Sequence, residues 1–525
     1  MKKNILKNIA LLSAGLLLST SCTKDFVERN TNPASYNQTN FDPNYLLTSA
    51  QLAYTGSTDF SYETWRGNLI YCSTFMQGFS TVIGYWAGDK YLLNEGYTSA
   101  YWGNAYSEQV KPIVDVVEST KDKPQYKNLN AIARIMRALV FERITDLYGD
   151  VPYSEAGLGY YSKIFYPKYD KQEDIYNDLI TQVTAATAAL DPAGDIPKGD
   201  AIYKGNIAQW QKFGNTLLLR IGMRLSKVNP DKAKAIVTQV AGKTLTEADD
   251  AYLIADATGG RTTINRNSQV LLGDGGQENY YVKWSKTFID NLKSNNDPRL
   301  SVLAATQLYA NDATKTQNPN PVFTAAAQKG MPNGLDFGTP GHIVTADPSY
   351  TTFPDYSSPS PYITKRNGPT FILTYAESEL LLADAAQRFS VGGDAKTHYD
   401  AGVKAAITYL KEYDAAATIT PAAAQAYVDA HPYNAATGLQ QINTQYWILT
   451  NSMLDFYESW SNWRRTGFPV LTPVTFPNNA TSNTIPRRFP YPSGEAVSNP
   501  DNYTSAHNGV AGGDLLTSRV WWDKQ

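Results

Sequence analysis

Apolar residues return every three or four positions over long stretches of this chain, a spacing that predicts amphipathic helices. Across 130–148 the recurring positions are Ile132, Ile135, Met136, Leu139, Val140, Ile144 and Leu147. Gly149 supplies a stop, and Pro152 prevents continuation. A second helix is expected over 172–190, where Ile175, Leu179, Val183 and Ala186 share a face before Asp191-Pro192 ends it. A third spans 207–228 on Trp210, Phe213, Leu217, Leu218, Ile221 and Leu225. Asn229-Pro230-Asp231 breaks it, and a short helix over 233–241 follows. Further helices are expected over 371–389, 395–413, 421–430 and 439–463.

Between 256 and 368 the periodicity fades and the chain fills with Gly, Pro, Asn, Thr and Tyr. One helical patch survives over 281–292, closed by Asn296-Asp297-Pro298-Arg299-Leu300. Irregular stretches this long inside a compact protein usually carry function. The tail after Thr466 is rich in Pro and Asn and reads as irregular chain wrapped on the surface. Paired Ala-rich helices, in blocks of about 124–241 and 371–463, resemble tetratricopeptide hairpins, which stack into a concave scaffold. The expected fold is mostly α: tetratricopeptide-like helix pairs forming a superhelical scaffold with a long, loop-rich, ligand-facing region. Helical blocks flank the loops on both sides, so 22–525 reads as a single interdigitated domain.

The N-terminus changes the picture. Lys2, Lys3 and Lys7 precede an apolar run that includes Leu11, Leu12, Leu16, Leu17 and Leu18, and Ser19-Thr20-Ser21 leads into Cys22. This is the pattern of a signal peptide over 1–21, too short to span a bilayer comfortably. A Cys placed where cleavage should fall looks like a lipobox, with Cys22 acylated as the new N-terminus. Cys72 is the other cysteine, so an acylated Cys22 leaves no disulfide. Tyr71, Phe75 and Met76 around Cys72 suggest a small buried hydrophobe.

Net charge is −3 for the whole chain, and −6 once the three lysines of 1–21 are removed. This argues against nucleic-acid binding, which needs a basic stripe. The 36 Tyr and 10 Trp against 18 Phe favour rings that are apolar on one side and wet on the other, as recognition surfaces use. Catalytic patterns are missing. His342, His398, His431 and His507 stand singly, with no His-Glu-x-x-His pair, nucleophile elbow or phosphate loop. Leu272-Gly273-Asp274-Gly275-Gly276 reads as a surface turn. The acids Glu247, Asp249, Asp250 and Asp256 lack calcium-loop spacing and read as a solvated turn. No cofactor or metal is expected.

Several landmarks fall in a specific order. They are Ser21-Cys22-Thr23-Lys24-Asp25-Phe26, the helix end Thr145-Asp146-Leu147-Tyr148-Gly149-Asp150-Val151-Pro152-Tyr153, and Asn296-Asp297-Pro298-Arg299-Leu300. Then come Thr374-Tyr375-Ala376-Glu377-Ser378-Glu379-Leu380-Leu381, Trp463-Arg464-Arg465-Thr466-Gly467, Ile485-Pro486-Arg487-Arg488-Phe489-Pro490 and Val520-Trp521-Trp522-Asp523. In this set the chain resembles the SusD/RagB family of nutrient-binding outer-membrane lipoproteins of the Bacteroidetes, and within it the SusD-like branch described as starch-binding and outer-membrane-associated. The resemblance implies four helix pairs beneath a loop-rich face. It also implies a lipid anchor facing the cell exterior and a SusC-like TonB-dependent outer-membrane channel as partner. The protein would capture an oligo- or polysaccharide without chemistry. One departure stands out: relatives often carry a Glu-Arg-Arg run before the Trp-Arg pair, where this chain has Tyr457-Glu458-Ser459-Trp460-Ser461-Asn462. The motif residues themselves read as architecture, with Glu377 and Glu379 expected to pair with nearby Arg.

Sugar recognition sets flat rings against C–H faces, with amides and carboxylates bonding hydroxyls. The candidate contacts lie in loops: Tyr85, Trp86, Asp89 and Tyr91; Tyr280; and Tyr350, Phe353 and Tyr356. Core packing is the competing explanation for each, strongest for Trp284, Tyr101 and Trp102, and weakest for Trp86. Two other functions remain open: peptide capture by the same fold, and a surface glycoside hydrolase with two facing carboxylates.

Overall fold

The computed structural model describes residues 41–57 and 62–524. The expected signal peptide and Cys22 lie outside the described residues. From Asn44 onward the chain is one compact unit.

Four helix pairs build the scaffold, as the family resemblance implies. Lys127–Tyr148 packs on Gln172–Ala189, Ile207–Arg224 on Pro230–Val240, Tyr375–Phe389 on Ala395–Thr408, and Gly438–Ser452 on Phe456–Thr466. Lys111–Thr120 and Pro421–Ala430 flank them. The ends follow local chemistry. Gly149 takes φ +84°, which frees the chain to leave its helix. The Asn229 side chain accepts from Lys232 N at 3.1 Å and Pro230 sits in the first turn, so the break also starts the next helix.

Three expected elements differ. The helix placed over 371–389 begins at Tyr375; before it, Pro369–Leu373 is a strand paired antiparallel with Ala251–Ile254. A short apolar run suits either state, and here a partner strand decides. The patch over 281–292 is a helix from Lys286 to Ser294, preceded by a strand, Lys283–Trp284, on Phe79–Ser80. The helix placed over 439–463 is a hairpin. Leu454 turns the chain at φ +58°, and the Asp455 side chain caps the next helix by accepting from Glu458 N at 3.3 Å. The tail is more than a surface wrap, since Phe489 and Trp522 are fully buried.

A charged cluster joins the pairs at the centre. Arg220 binds Glu142 (2.9 Å) and Glu377 (3.2 Å), while Arg224 binds Asp146 (3.1 Å) and Glu458. Tyr446 donates to Glu377 at 3.0 Å and to Glu458 at 2.7 Å, and Trp522 Nε1 donates to Asp146 at 2.9 Å. All these groups are buried. Two guanidiniums cannot neutralise four carboxylates, so burial keeps some of the acids protonated. Glu142 rises to about 7 and Glu377 to about 8, both chiefly by burial, while the facing arginines help to hold Glu458 below the usual range. Glu379 instead meets His398 at 2.7 Å. Elsewhere Arg465 and Arg388 hold Asp384 (3.0 and 2.9 Å), and Arg464 lies between the Trp460 and Trp522 rings.

Candidate functional site

The loop-rich region from 256 to 368 carries its own small core. Val82, Met331, Val344, Phe353 and Tyr356 are buried together, with Tyr280, Tyr281, Leu335 and Tyr350 half-buried against them. The rings interlock. Tyr281 meets Phe353 at 4.8 Å and Phe337 at 5.5 Å, Tyr280 meets Phe353 at 5.7 Å, and Tyr350 stacks near Tyr356 at 6.4 Å. Phe337 is 53 % exposed on a turn that Asp336 closes by accepting from Gly338 N and Thr339 N. The result is a ring surface with Tyr280, Tyr281, Phe337 and Tyr350 reaching solvent over a floor of Phe353 and Tyr356. Burial holds the Tyr280 and Tyr281 phenols above the usual range, with smaller contributions from neighbouring phenols and the Asp312 charge.

Polar pins fix this surface to the scaffold. Lys329 donates to Thr351 Oγ1 (3.0 Å) and lies 4.5 Å from the Tyr356 ring centre. Lys283 is buried beneath Tyr280, donates to Ser358 Oγ at 2.8 Å, and has no carboxylate partner among the described residues. Burial alone draws its pKa down to about 7.

Tyr85, 39 % exposed, belongs to an adjoining patch. Its hydroxyl donates to Glu278 Oε1 at 2.6 Å, and its ring stands edge-on to Trp65 at 6.1 Å. Arg66 stacks over Tyr62 at 3.4 Å and faces Tyr97 at 4.7 Å. Residues 278–281 link the two patches, since Glu278 holds Tyr85 while Tyr280 and Tyr281 pack on Phe353.

The remaining sequence candidates are inside. Trp86 has no exposed surface, and its indole points toward Glu278 Oε1 at 3.5 Å. Asp89 is equally buried and takes Asn333 Nδ2 (2.5 Å) and Gly334 N (3.1 Å), which ties the 331–334 turn down. Tyr91 is buried, with its hydroxyl accepting from Val474 N at 3.2 Å. Phe353 and Tyr356 form the floor rather than the face. Trp86, Asp89 and Tyr91 lie inside because the short helix Ala87–Lys90 folds back against the core, and Phe353 and Tyr356 because they pack on Val82, Met331 and Val344. Tyr85, Tyr280 and Tyr350 reach solvent. Sequence reasoning missed Phe337, Tyr62, Trp65 and Arg66. A Phe set among Gly334, Asp336 and Gly338, and rings at 62 and 65 beside an Arg, were the available signals.

Other candidate chemistry is accounted for structurally. Asp249 pairs with Lys212 at 2.7 Å, and Asp250 accepts from Tyr375 N at 2.6 Å. No group of metal-ligating side chains forms among the described residues. Cys72 is buried, and burial holds its thiol well above the usual range. A groove of about 500 Å³ lies between helices 172–189 and 207–224, lined by Gln211, Lys212 and Asn215, but it presents no ring.

A helix-pair scaffold bearing a braced, ring-lined loop face defines a binding protein built on a tetratricopeptide-like frame. The chain belongs to the SusD-like family described as "Starch-binding associating with outer membrane", whose model matches residues 35–492. Among solved structures, a "chitin-binding protein" is 33% identical, covering 92% of this chain and 100% of its own, with TM-score 0.79. A protein titled "Bacteroidetes AC2a SusD-like" is 26% identical over 92% of this chain and 100% of its own, with TM-score 0.78. A chitin-binding SusD homolog from Flavobacterium johnsoniae shares the fold at 21% identity, covering 92% of this chain and 98% of its own, with TM-score 0.73. No curated protein sequence matches the chain.

Proposed function

We propose that this protein captures a glycan at the outer membrane and passes it, unaltered, to a SusC-like TonB-dependent channel, held to the membrane by acylated Cys22. The observation that carries the reading is the braced ring surface of Tyr280, Tyr281, Phe337 and Tyr350, in a member of a family described as starch-binding. Aromatic faces stack on the C–H faces of pyranose rings. The relative at 33% identity, titled chitin-binding, supports a β-linked or N-acetylated sugar polymer as a first ligand to try.

The test is calorimetric or gel-shift titration of the acyl-free protein with starch, chitin oligosaccharides, other polysaccharides and peptides, followed by product analysis. Binding to a glycan left intact supports capture. Cleavage products would replace it with a hydrolase, and binding to peptides alone would keep the fold but change the cargo.

A further inference from the structure

Three large aromatic residues are about two-thirds exposed within one seven-residue stretch: Tyr160 (63%), Phe165 (69%) and Tyr166 (66%). They lie in the connection between helices 127–148 and 172–189, away in sequence from every residue of the ring surface above. Buried ring area is among the largest apolar contributions a side chain makes, so three such rings left in water mark a contact site.

The backbone under them is fixed. Asn502 Nδ2 donates to Tyr166 O at 3.0 Å, Asn499 Nδ2 to Pro167 O at 2.7 Å, and Lys168 N to Glu155 Oε2 at 2.9 Å. The rings are therefore presented on a held frame and do not belong to a loose loop. Val497, two residues before Asn499, is 86% exposed. At the tip, Lys163 adopts a left-handed conformation (φ +59°), and no carboxylate among the described residues pairs with it.

We infer that Tyr160, Phe165 and Tyr166, with Lys163, form a lipid-contacting loop that rests in the headgroup region of the membrane this family associates with. Two features favour lipid over a rigid partner. Tyr is apolar at the ring and polar at the hydroxyl, which is the chemistry that settles at a lipid–water boundary. An unpaired Lys beside the rings suits anionic headgroups. The inference rests on the family's outer-membrane association, not on the identity of the cargo.

The test uses the full chain with Cys22→Ser, which removes the proposed anchor, and Phe165→Cys carrying an environment-sensitive dye. Cys72 is buried and stays unlabelled. Tyr45→Cys, at a site 66% exposed elsewhere, serves as the reference. With vesicles of phosphatidylcholine and phosphatidylglycerol, the dye at 165 should shift to the blue and be quenched by nitroxide lipids, while the dye at 45 stays open to aqueous iodide. Tyr160→Ser/Phe165→Ser/Tyr166→Ser should weaken vesicle partitioning by about a hundredfold, or about tenfold for each of two rings' worth of burial. Its circular dichroism should be unchanged. Iodide access at 165 equal to that at 45 would overturn the inference. So would protection from both quenchers in native outer-membrane fragments, which would assign the loop to a protein partner. Neither result would touch glycan binding.

Discussion

The centre of the helical scaffold and the loop face are built from opposite materials. Where the helix pairs meet, Arg220 and Arg224 are enclosed by Glu142, Asp146, Glu377 and Glu458, and the side chains are sealed from water. On the loop face the same kind of density is made of rings, and four of the six remain partly wet. The charged centre gives register: each carboxylate comes from a particular helix, and a shift of one turn would strand a buried charge. The ring surface, under the proposed function, gives contact, since its outer members are only partly buried. The sequence marks that resemble the family therefore lie mostly in the helical scaffold and the chain packed on it, not in the ring surface.

Breaking the charged centre should have the largest effect. Arg220→Ala leaves Glu142 and Glu377 without their counter-charge and should cost about 3–5 kcal/mol in denaturant unfolding, enough to lower the yield of folded protein. Trp86→Ala comes next. As a fully buried indole it should cost about 3–5 kcal/mol of stability. If Trp86 were a ligand platform, the variant would instead keep its stability and lose affinity, so this substitution separates bracing from contact. At the wet edge, Phe337→Ala should leave the melting temperature nearly unchanged and weaken glycan binding by about five- to tenfold, following ~1 kcal/mol per stacked ring.

The smallest effects are in pH. Glu142 and Glu377 are raised above their unfolded values, so the folded protein binds extra protons between the ordinary glutamate range and about 8. Their contribution is fully present below pH about 4.5 and is lost as pH rises through 7 to 8; Glu458 is lowered and works against this at acid pH. Glu377→Gln should flatten the decline in stability from pH 5 to 8. Lys283, drawn down to about 7 under the ring surface, has the opposite sign. Its buried charge costs stability below neutrality and ceases to as pH rises, so Lys283→Met should stabilise most at pH 6 and least at pH 10. A gain that is the same at both would show that Lys283 stays charged in the folded protein across this range.

The two regions also differed in how far they could be read from sequence. Helix faces such as Ile132 to Leu147 repeat at the helical period, and packing agrees with them. The turn at Leu454 was hidden because a leucine carries no turn signal; Asn68 creates it from a distance, donating to Leu454 O at 2.8 Å and accepting from Phe456 N at 2.9 Å. The loop rings were legible as a region but not one by one. Trp86 sits beside Gly88 in a polar stretch and looks exposed, yet Gly88 lets the backbone close on Ile70 and Tyr71 and buries the ring. Phe337 looks like filler and stands in solvent. Burial of a loop side chain depends on contacts made hundreds of residues away, and no local pattern encodes it.

The most direct test is to titrate the wild-type protein and Tyr280→Ala/Phe337→Ala with the same glycan, with melting curves measured in parallel. The account predicts that the double variant melts within a few degrees of wild type, leaves the glycan uncleaved, and binds at least about tenfold more weakly. Equal affinity in the two proteins would contradict it and move the binding surface off these rings.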